Sequence, residues 1–475
     1  MVKGYQLGKP GGTQLAYKNF SSQRLHIAAL AFPFGAHAAQ LLTLLRLLAP
    51  SLPPTAIISF LCTEKSNAQT FTNKLDPIGT LIKPYNVWDG IPVEAVEGGN
   101  FEAGVGFFLK AVPGSYQKAL LEAESQSGVK ISCVLSDAFL WFSGDLAAEM
   151  GVPWLAFWTS GSCSLSVLLY DEEIRKTFGV SGVAETAKQA LTFIPGMSAV
   201  LIEDLPPENL ESPFGQMLHR IGPSLPRANT VVVNCFEELD PLITKGLMSK
   251  FQRVLHVGPF SLTLPPPPPD SSDDENGCLL WLENQMPSSV VYLSFGSMAT
   301  PPPDEMLALA QALESFKSPF LWSLRDHSRH LLPEGFVEST TSFGKMVSWA
   351  PQPQVLAHPS VGVFMSHGGW NSILESIAGG VPMICRPFFG DQNLNSRMVQ
   401  DVWRIGIKVE GGVFTRSGTS RALELVLSHE EGKKMRDNVC RLKESAVKAV
   451  GSGGSTTANF ETLVEVIKAC KCKPT

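Results

Sequence analysis

The residues best placed for chemistry are a histidine and an aspartate that close two distant apolar runs, and a glycine turn set between two more. His37 follows the run 24–32 and the turn Pro33-Phe34-Gly35-Ala36, and precedes the strongly apolar stretch 38–48. Asp137 follows the apolar run 131–136. Histidine titrates near neutrality, so it can take a proton from a hydroxyl, and a carboxylate beside it holds its tautomer and stabilises the imidazolium. Each residue also has a plainer reading, His37 as a structural polar group and Asp137 as a helix N-cap. Both fall where a strand gives way to a helix, at the carboxyl edge of a parallel sheet, where ligand crevices open.

The second group lies in the stretch from Trp349 to Gln392. Residues 361–365 (VGVFM) have strand length, Ser366-His367-Gly368-Gly369 is a turn, 370–378 has helical spacing, Gly379-Gly380 stops the helix, and 381–385 is a second buried strand. Such a βαβ unit turns the unpaired first-turn amides of its helix toward an anion. Glycines at the turn let the backbone come close. Asn371, Ser372 and Glu375 share one helix face. A carboxylate one turn into the helix suits sugar hydroxyls better than phosphate. Taken alone, a glycine turn before a helix is common in α/β proteins and does not establish phosphate binding.

The elements that must position these groups form two doubly wound halves. Strands are expected at 24–32, 56–61, 131–136, 153–158, 230–234 and 254–257, with helices at 38–48 and, kinked at Pro113-Gly114, at 107–124. Residues 84–104 read as a Gly/Pro/acid-rich loop suited either to lining a small-molecule pocket or to plain surface. Five prolines, 265–269, running into DSSDDENG make a semi-rigid solvated linker. The second half has strands at 290–295 and 320–323, and Gly296-Ser297 repeats the strand-then-glycine arrangement, so Ser297 can reach a phosphate. Helices close the chain at 417–427, 431–450 and 456–469. The organisation expected is a flexible segment 1–23, a first domain 24–262, a linker 263–277, a second domain 278–454, and a last helix with its tail, 455–475.

At 475 residues, with 44% hydrophobic and 17% charged residues, the chain has ample core for two domains. The net charge of −6 and the lack of a basic block argue against nucleic acid as a partner. Nine scattered cysteines, several inside apolar strands, fit reduced thiols and a cytoplasmic location. Cys470 and Cys472 in a lysine-rich tail read as a mobile end rather than a metal site, which needs about four ligands. Residues 1–23 lack the apolar core of a signal peptide, and polar breaks in 26–48 exclude a membrane span.

The stretch opened by Trp349-Ala350-Pro351-Gln352, centred on His367-Gly368-Gly369-Trp370-Asn371-Ser372 and closed by Asp391-Gln392 resembles the signature box of plant family-1 UDP-sugar glycosyltransferases. The runs 32–39, 136–139, 193–198, 322–326, 386–392 and 410–415 extend the resemblance over nearly the whole chain from about Arg24, nearest to the flavonoid and anthocyanidin 3-O-glucosyltransferases. It implies a GT-B fold, two Rossmann-like domains facing across a cleft, with acceptor on the first and donor on the second. It implies His37 as base and Asp137 as its partner. It implies donor contacts from Trp349 on uracil, Ala350 nearby, Gln352 and Glu375 on ribose, His367, Asn371, Ser372 and Ser297 toward the diphosphate, and Trp370, Asp391, Gln392 and Thr159 on the sugar. Glutamine at 392 goes with glucose, histidine there with galactose. The expected reaction is inverting transfer of glucose from UDP-glucose to a flavonoid hydroxyl, the 3-OH first, without metal or cofactor since no Asp-x-Asp motif accompanies the phosphate site. The chain is expected to act as a monomer on small molecules, without membrane insertion.

On the acceptor side the sequence departs from its relatives. Gly35 and Ala36 stand where a serine and threonine are frequent, and Glu102 and Leu168 where a glutamine and histidine are used. Phe32, Phe139 and Phe389 leave an apolar pocket with few polar groups to orient a flat polyphenol. Another phenolic aglycone, another position, or C-glucosylation of a flavone stays open, as does a non-catalytic nucleotide-sugar-binding protein. A dinucleotide-binding G-x-G-x-x-G is not found at 34–39.

Overall fold

The computed structural model describes residues 24–71, 81–92, 101–179, 186–206, 211–263, 274–296 and 299–470. The segment 1–23, most of the proline linker, Ser297 and Cys472 lie outside the described residues.

Two parallel sheets organise the chain. The first contains β1 (His26–Leu30), β2 (Ile57–Thr63), β3 (Ile82–Val87), β4 (Cys133–Asp137), β5 (Trp154–Trp158), β6 (Thr230–Val233) and β7 (Val254–His256). Its order is β3-β2-β1-β4-β5-β6-β7. The second contains β8 (Val290–Ser294), β9 (Phe320–Ser323), β10 (Gly344–Val347), β11 (Val361–Ser366), β12 (Met383–Cys385) and β13 (Gly406–Lys408), in the order β10-β9-β8-β11-β12-β13. These are the two Rossmann-like halves expected from the sequence.

Helices cover both faces of each sheet, which is why the inner strands read as unbroken apolar runs. Along β1, Ala28 and Leu30 enter one core while Ile27 and Ala29 enter the core on the opposite face. Strand order reverses beside β1 in the first sheet, between β2 and β4, and beside β8 in the second, between β9 and β11. A crevice opens beyond the strand ends at such a reversal. His37 follows β1 and Asp137 ends β4; Gly296 follows β8 and His367 follows β11.

Three expectations need correction. Residues 84–87, read as the start of a loop, belong to edge strand β3, and a helix, Phe101–Ala111, already begins inside the supposed loop. The single kinked helix at 107–124 is two, Phe101–Ala111 and Gly114–Ser127, with proline at the break. Strands β10 and β13 were not anticipated. At the carboxyl end, helix Ser455–Ala469 returns to the first sheet, burying Leu463, Val464 and Ile467 beside Leu255 and Val257. Thr456 Oγ1 donates to the Gly258 carbonyl at 2.8 Å, fastening that return. Among the described residues no helix is long and apolar enough to cross a membrane.

Candidate active site

His37 is the first residue of helix His37–Leu48, reached through Gly35, whose φ of +61° suits glycine. Asp137 has no exposed surface at the end of β4. Because β1 and β4 are neighbours, their ends bring the two together: His37 Nδ1 lies 2.8 Å from Asp137 Oδ2. A carboxylate only accepts, so Nδ1 carries the proton and Nε2 presents a lone pair. The other carboxylate oxygen, Oδ1, accepts from the Phe139 amide at 2.9 Å. Asp137 is not a helix N-cap, since the next helix begins at Ser143 with Phe142 before it; its carboxylate steadies the turn after its strand while orienting the imidazole.

The next strand adds a third group. Thr159 follows β5, which pairs with β4, and its Oγ1 stands 3.1 Å from His37 Nδ1. The resemblance implied Thr159 on the sugar; its hydroxyl also reaches the histidine, because the ends of β4 and β5 are adjacent. Ser160, not singled out from the sequence, donates its hydroxyl to Asp391 Oδ2 in the second half. Consecutive residues thus connect the histidine with the carboxylate expected on the sugar. Burial raises the Asp391 pKa above its ordinary value, opposed by bonds from Ser160 and Asn395.

In the second half, Gly368 has φ +77°, and a Cβ there would lie 2.6 Å from Ser396 Oγ. Only glycine fits both the backbone and the space. Asn395 Nδ2 donates to the Gly368 carbonyl at 3.2 Å and holds the turn. Helix Trp370–Gly379 begins immediately after it, with no side-chain cap on its first amides. His367 is pushed down to about 4 by burial, so at neutral pH it is an uncharged imidazole. An uncharged imidazole can offer hydrogen bonding, but not charge, to an anion beside it.

Ser372 and Glu375 share a helix face as their spacing implied, and Gln352 meets both. Gln352 Nε2 donates to Ser372 Oγ at 3.1 Å and to Glu375 Oε2 at 2.6 Å, and Tyr292 donates to Gln352 Oε1 at 3.2 Å. Burial lifts the Glu375 carboxyl to about 7, against the opposing bond from Gln352. Asn371 is half-buried on the same helix. Trp349 is exposed, its carbonyl bonded by Asn276 Nδ2 at 2.9 Å. The Ala350 side chain is buried in the core, so only its backbone is left for a ligand. Gln392 Oε1 accepts from the Phe388 and Phe389 amides at 2.8 and 3.1 Å, which leaves its NH2 for a sugar hydroxyl. Trp370 has a role across the domains that the sequence did not announce. Its indole donates to the Asn234 carbonyl at 2.8 Å and is buried against the first half, so the side chain joins the domains.

Rings surround the histidine. Phe139 lies 4.5 Å from His37 and Phe32 5.1 Å, centroid to centroid, with Phe34 and Phe108 behind. Phe32 is almost fully buried. Phe139 is half-buried and Phe389 exposed. Glu102 is exposed near the start of its helix, and Leu168, in helix Ser162–Leu169, is half-buried against the core. Neither shows a polar contact that would orient an acceptor.

Residues 272–447 match the family model described as UDP-glucoronosyl and UDP-glucosyl transferase. A flavonol 3-O-glucosyltransferase of Actinidia chinensis var. chinensis is 58% identical over 458 residues, 95% of this chain and 98% of that one. An anthocyanidin 3-O-galactosyltransferase of the same plant is 52% identical over 452 residues, 94% and 98% of the two chains. The crystal structure of a UDP-glucose:anthocyanidin 3-O-glucosyltransferase in complex with UDP superposes with a TM-score of 0.87 at 42% identity, covering 94% of this chain and 99% of that one.

Proposed function

The chain belongs to the UDP-glucoronosyl and UDP-glucosyl transferase family, and we propose that it moves glucose from UDP-glucose to the 3-hydroxyl of a flavonoid, with inversion at the anomeric carbon. The observation that carries the reading is the connection of His37 and Asp137 to Asp391 through Thr159 and Ser160. It supports a proton acceptor and a sugar-binding carboxylate acting together. The flavonol and anthocyanidin relatives supply the acceptor class.

The acceptor hydroxyl gives its proton to His37 Nε2 as its oxygen bonds to the anomeric carbon. The bond from that carbon to the diphosphate breaks, and its electron pair leaves with UDP. Asp137 stabilises the imidazolium formed. Charge on the departing diphosphate is met by the first-turn amides after Gly369, by neutral His367 and by the Asn371 amide. A single displacement converts an α-linked donor to a β-glucoside. Trp349 presents an exposed face to uracil, and Glu375 accepts from the ribose hydroxyls. The chemistry asks for no metal or cofactor, and the protein acts as a monomer in the cytoplasm. The intact His37–Asp137 pair speaks against a merely sugar-nucleotide-binding protein.

Galactose is the second donor to consider, because a galactosyltransferase is 52% identical. Gln392 favours glucose. The test is turnover of UDP-glucose and UDP-galactose with quercetin, with a flavone lacking the 3-hydroxyl, and with an anthocyanidin, the product position read by NMR. A 3-O-β-glucoside of quercetin, and no product from the flavone, is expected. A C-glucoside, or equal turnover of the flavone, overturns the 3-OH assignment.

A further inference from the structure

Strand β12 ends at Cys385, and Arg386 opens the turn that leads to Gln392. The Arg386 backbone amide donates to the Ser366 carbonyl at 2.8 Å, beside His367. Its side chain turns to Glu305, in the first turn of helix Pro303–Phe316. Nε donates to Glu305 Oε2 at 3.0 Å and Nη2 donates to Oε1. The carboxylate is buried, and Oε2 also accepts from the Phe414 amide at 2.8 Å. A buried pair of this kind is weak evidence of stability by itself, because desolvation offsets the attraction.

The remaining contacts of the guanidinium lead to the donor site. Nη1 donates to the Pro387 carbonyl at 2.7 Å, and the guanidinium carbon lies 3.9 Å from the centre of the Phe388 ring. The Pro387 carbonyl and the Phe388 amide belong to one peptide unit, which is planar, so its C=O and N–H point opposite ways. A cation that holds the carbonyl fixes the direction of the N–H and polarises it into a stronger donor. That N–H donates to Gln392 Oε1 at 2.8 Å, beside the second bond, at 3.1 Å, from the Phe389 amide. With its oxygen held in this way, the Gln392 side chain has its NH2 left for a hydroxyl. Lysine carries the charge but not the planar fork, so it cannot hold both carboxylate oxygens and the carbonyl together.

We propose that Arg386, clamped by Glu305, is a positioning residue for sugar choice: through the Pro387–Phe388 peptide it keeps the Gln392 NH2 turned to the hexose of the donor. The proposal rests on the glucosyl transfer proposed above and adds to it the device that aims Gln392. Without the guanidinium the peptide is free to rotate. Gln392 then loses one of the two bonds that define its orientation, and one hexose is told from another less sharply.

The test compares the unmutated protein with Arg386→Lys, Gln392→Ala and the double variant. Each is assayed with quercetin and either UDP-glucose or UDP-galactose, and its affinity for UDP is measured by calorimetry. Arg386→Lys is expected to lower the ratio of kcat/KM for UDP-glucose over UDP-galactose by at least ~5-fold. Its Kd for UDP, which has no hexose, is expected to stay unchanged. In the Gln392→Ala background the same substitution should move the ratio no further, because the two residues act through one contact. Should Arg386→Lys fold poorly, Phe388→Leu takes its place: the ring is half-buried, and the change removes the face under the guanidinium while keeping the peptide. A native ratio in the folded variant, a fall that is additive with Gln392→Ala, or a loss of UDP affinity as large as the fall in the ratio overturns the proposal. A native ratio in Gln392→Ala, or no turnover of UDP-glucose by the unmutated protein, overturns the donor assignment itself, and this proposal with it.

Discussion

The Ser160 hydroxyl donates to Asp391 Oδ2, fastening the end of strand β5 to the turn that opens the helix at Gln392. The residue before Ser160 is Thr159, whose hydroxyl touches His37. The base and the sugar carboxylate are therefore held by two consecutive residues of one strand end. A side chain replaced on either side of this connection changes alignment as well as chemistry.

Asp137→Asn removes the charge that stabilises imidazolium while keeping an oxygen for the Phe139 amide. Its kcat is expected to fall by ~10²–10⁴-fold, the range of general-base catalysis, with the Kd for UDP unchanged. Steady-state kinetics beside calorimetric UDP binding checks this.

The Glu375 carboxyl, lifted to about 7 by burial, is protonated at pH 6 and ionised at pH 8. An ionised carboxylate accepts ribose hydroxyls more strongly than the acid. UDP binding should tighten as pH rises through 7 in the native protein, and Glu375→Gln should lose that component. The difference between the two proteins cancels titration of the nucleotide itself. Calorimetry from pH 6 to 8 measures it.

Gly368→Ala forces a side chain into a φ of +77° and against Ser396 Oγ. Strain of about 1–3 kcal/mol is expected at such a position. The turn then moves, and UDP should bind roughly tenfold more weakly, a change of about 1.4 kcal/mol. Thermal unfolding and UDP titration read the two effects separately.

Much of this was legible because the inner strands are apolar on both faces and end in residues that carry chemistry. His37, Asp137 and the 366–372 turn stand out against such runs. Strands β3, β10 and β13 did not, and all three lie at sheet edges. In β3 the run IKPYNV keeps Lys83, Pro84 and Asn86 exposed, a pattern that edges tolerate and inner strands do not. The bonds from Ser160 to Asp391 and from Trp370 to Asn234 join residues 231 and 136 positions apart. No local pattern announces contacts of that kind. For Trp370 the resemblance spoke only of the sugar, and the bond of its indole to the other half had no signal in the sequence.

Gln392→His tests sugar choice. The glutamine oxygen is committed to the Phe388 and Phe389 amides, so the sugar meets an NH2 donor. A histidine cannot keep both amide bonds and present that donor together. The ratio of kcat/KM for UDP-glucose over UDP-galactose should fall by roughly tenfold or more, in line with the few kcal/mol that one placed polar contact contributes.

The most direct measurement on the central claim is turnover of quercetin by His37→Ala with UDP affinity measured on the same protein. The account predicts a kcat at least ~10²-fold lower, with UDP bound as tightly as before, because the donor site is built by residues 349–392. Turnover near that of the unmutated protein would contradict it, and the proton would then have to leave the acceptor by another group.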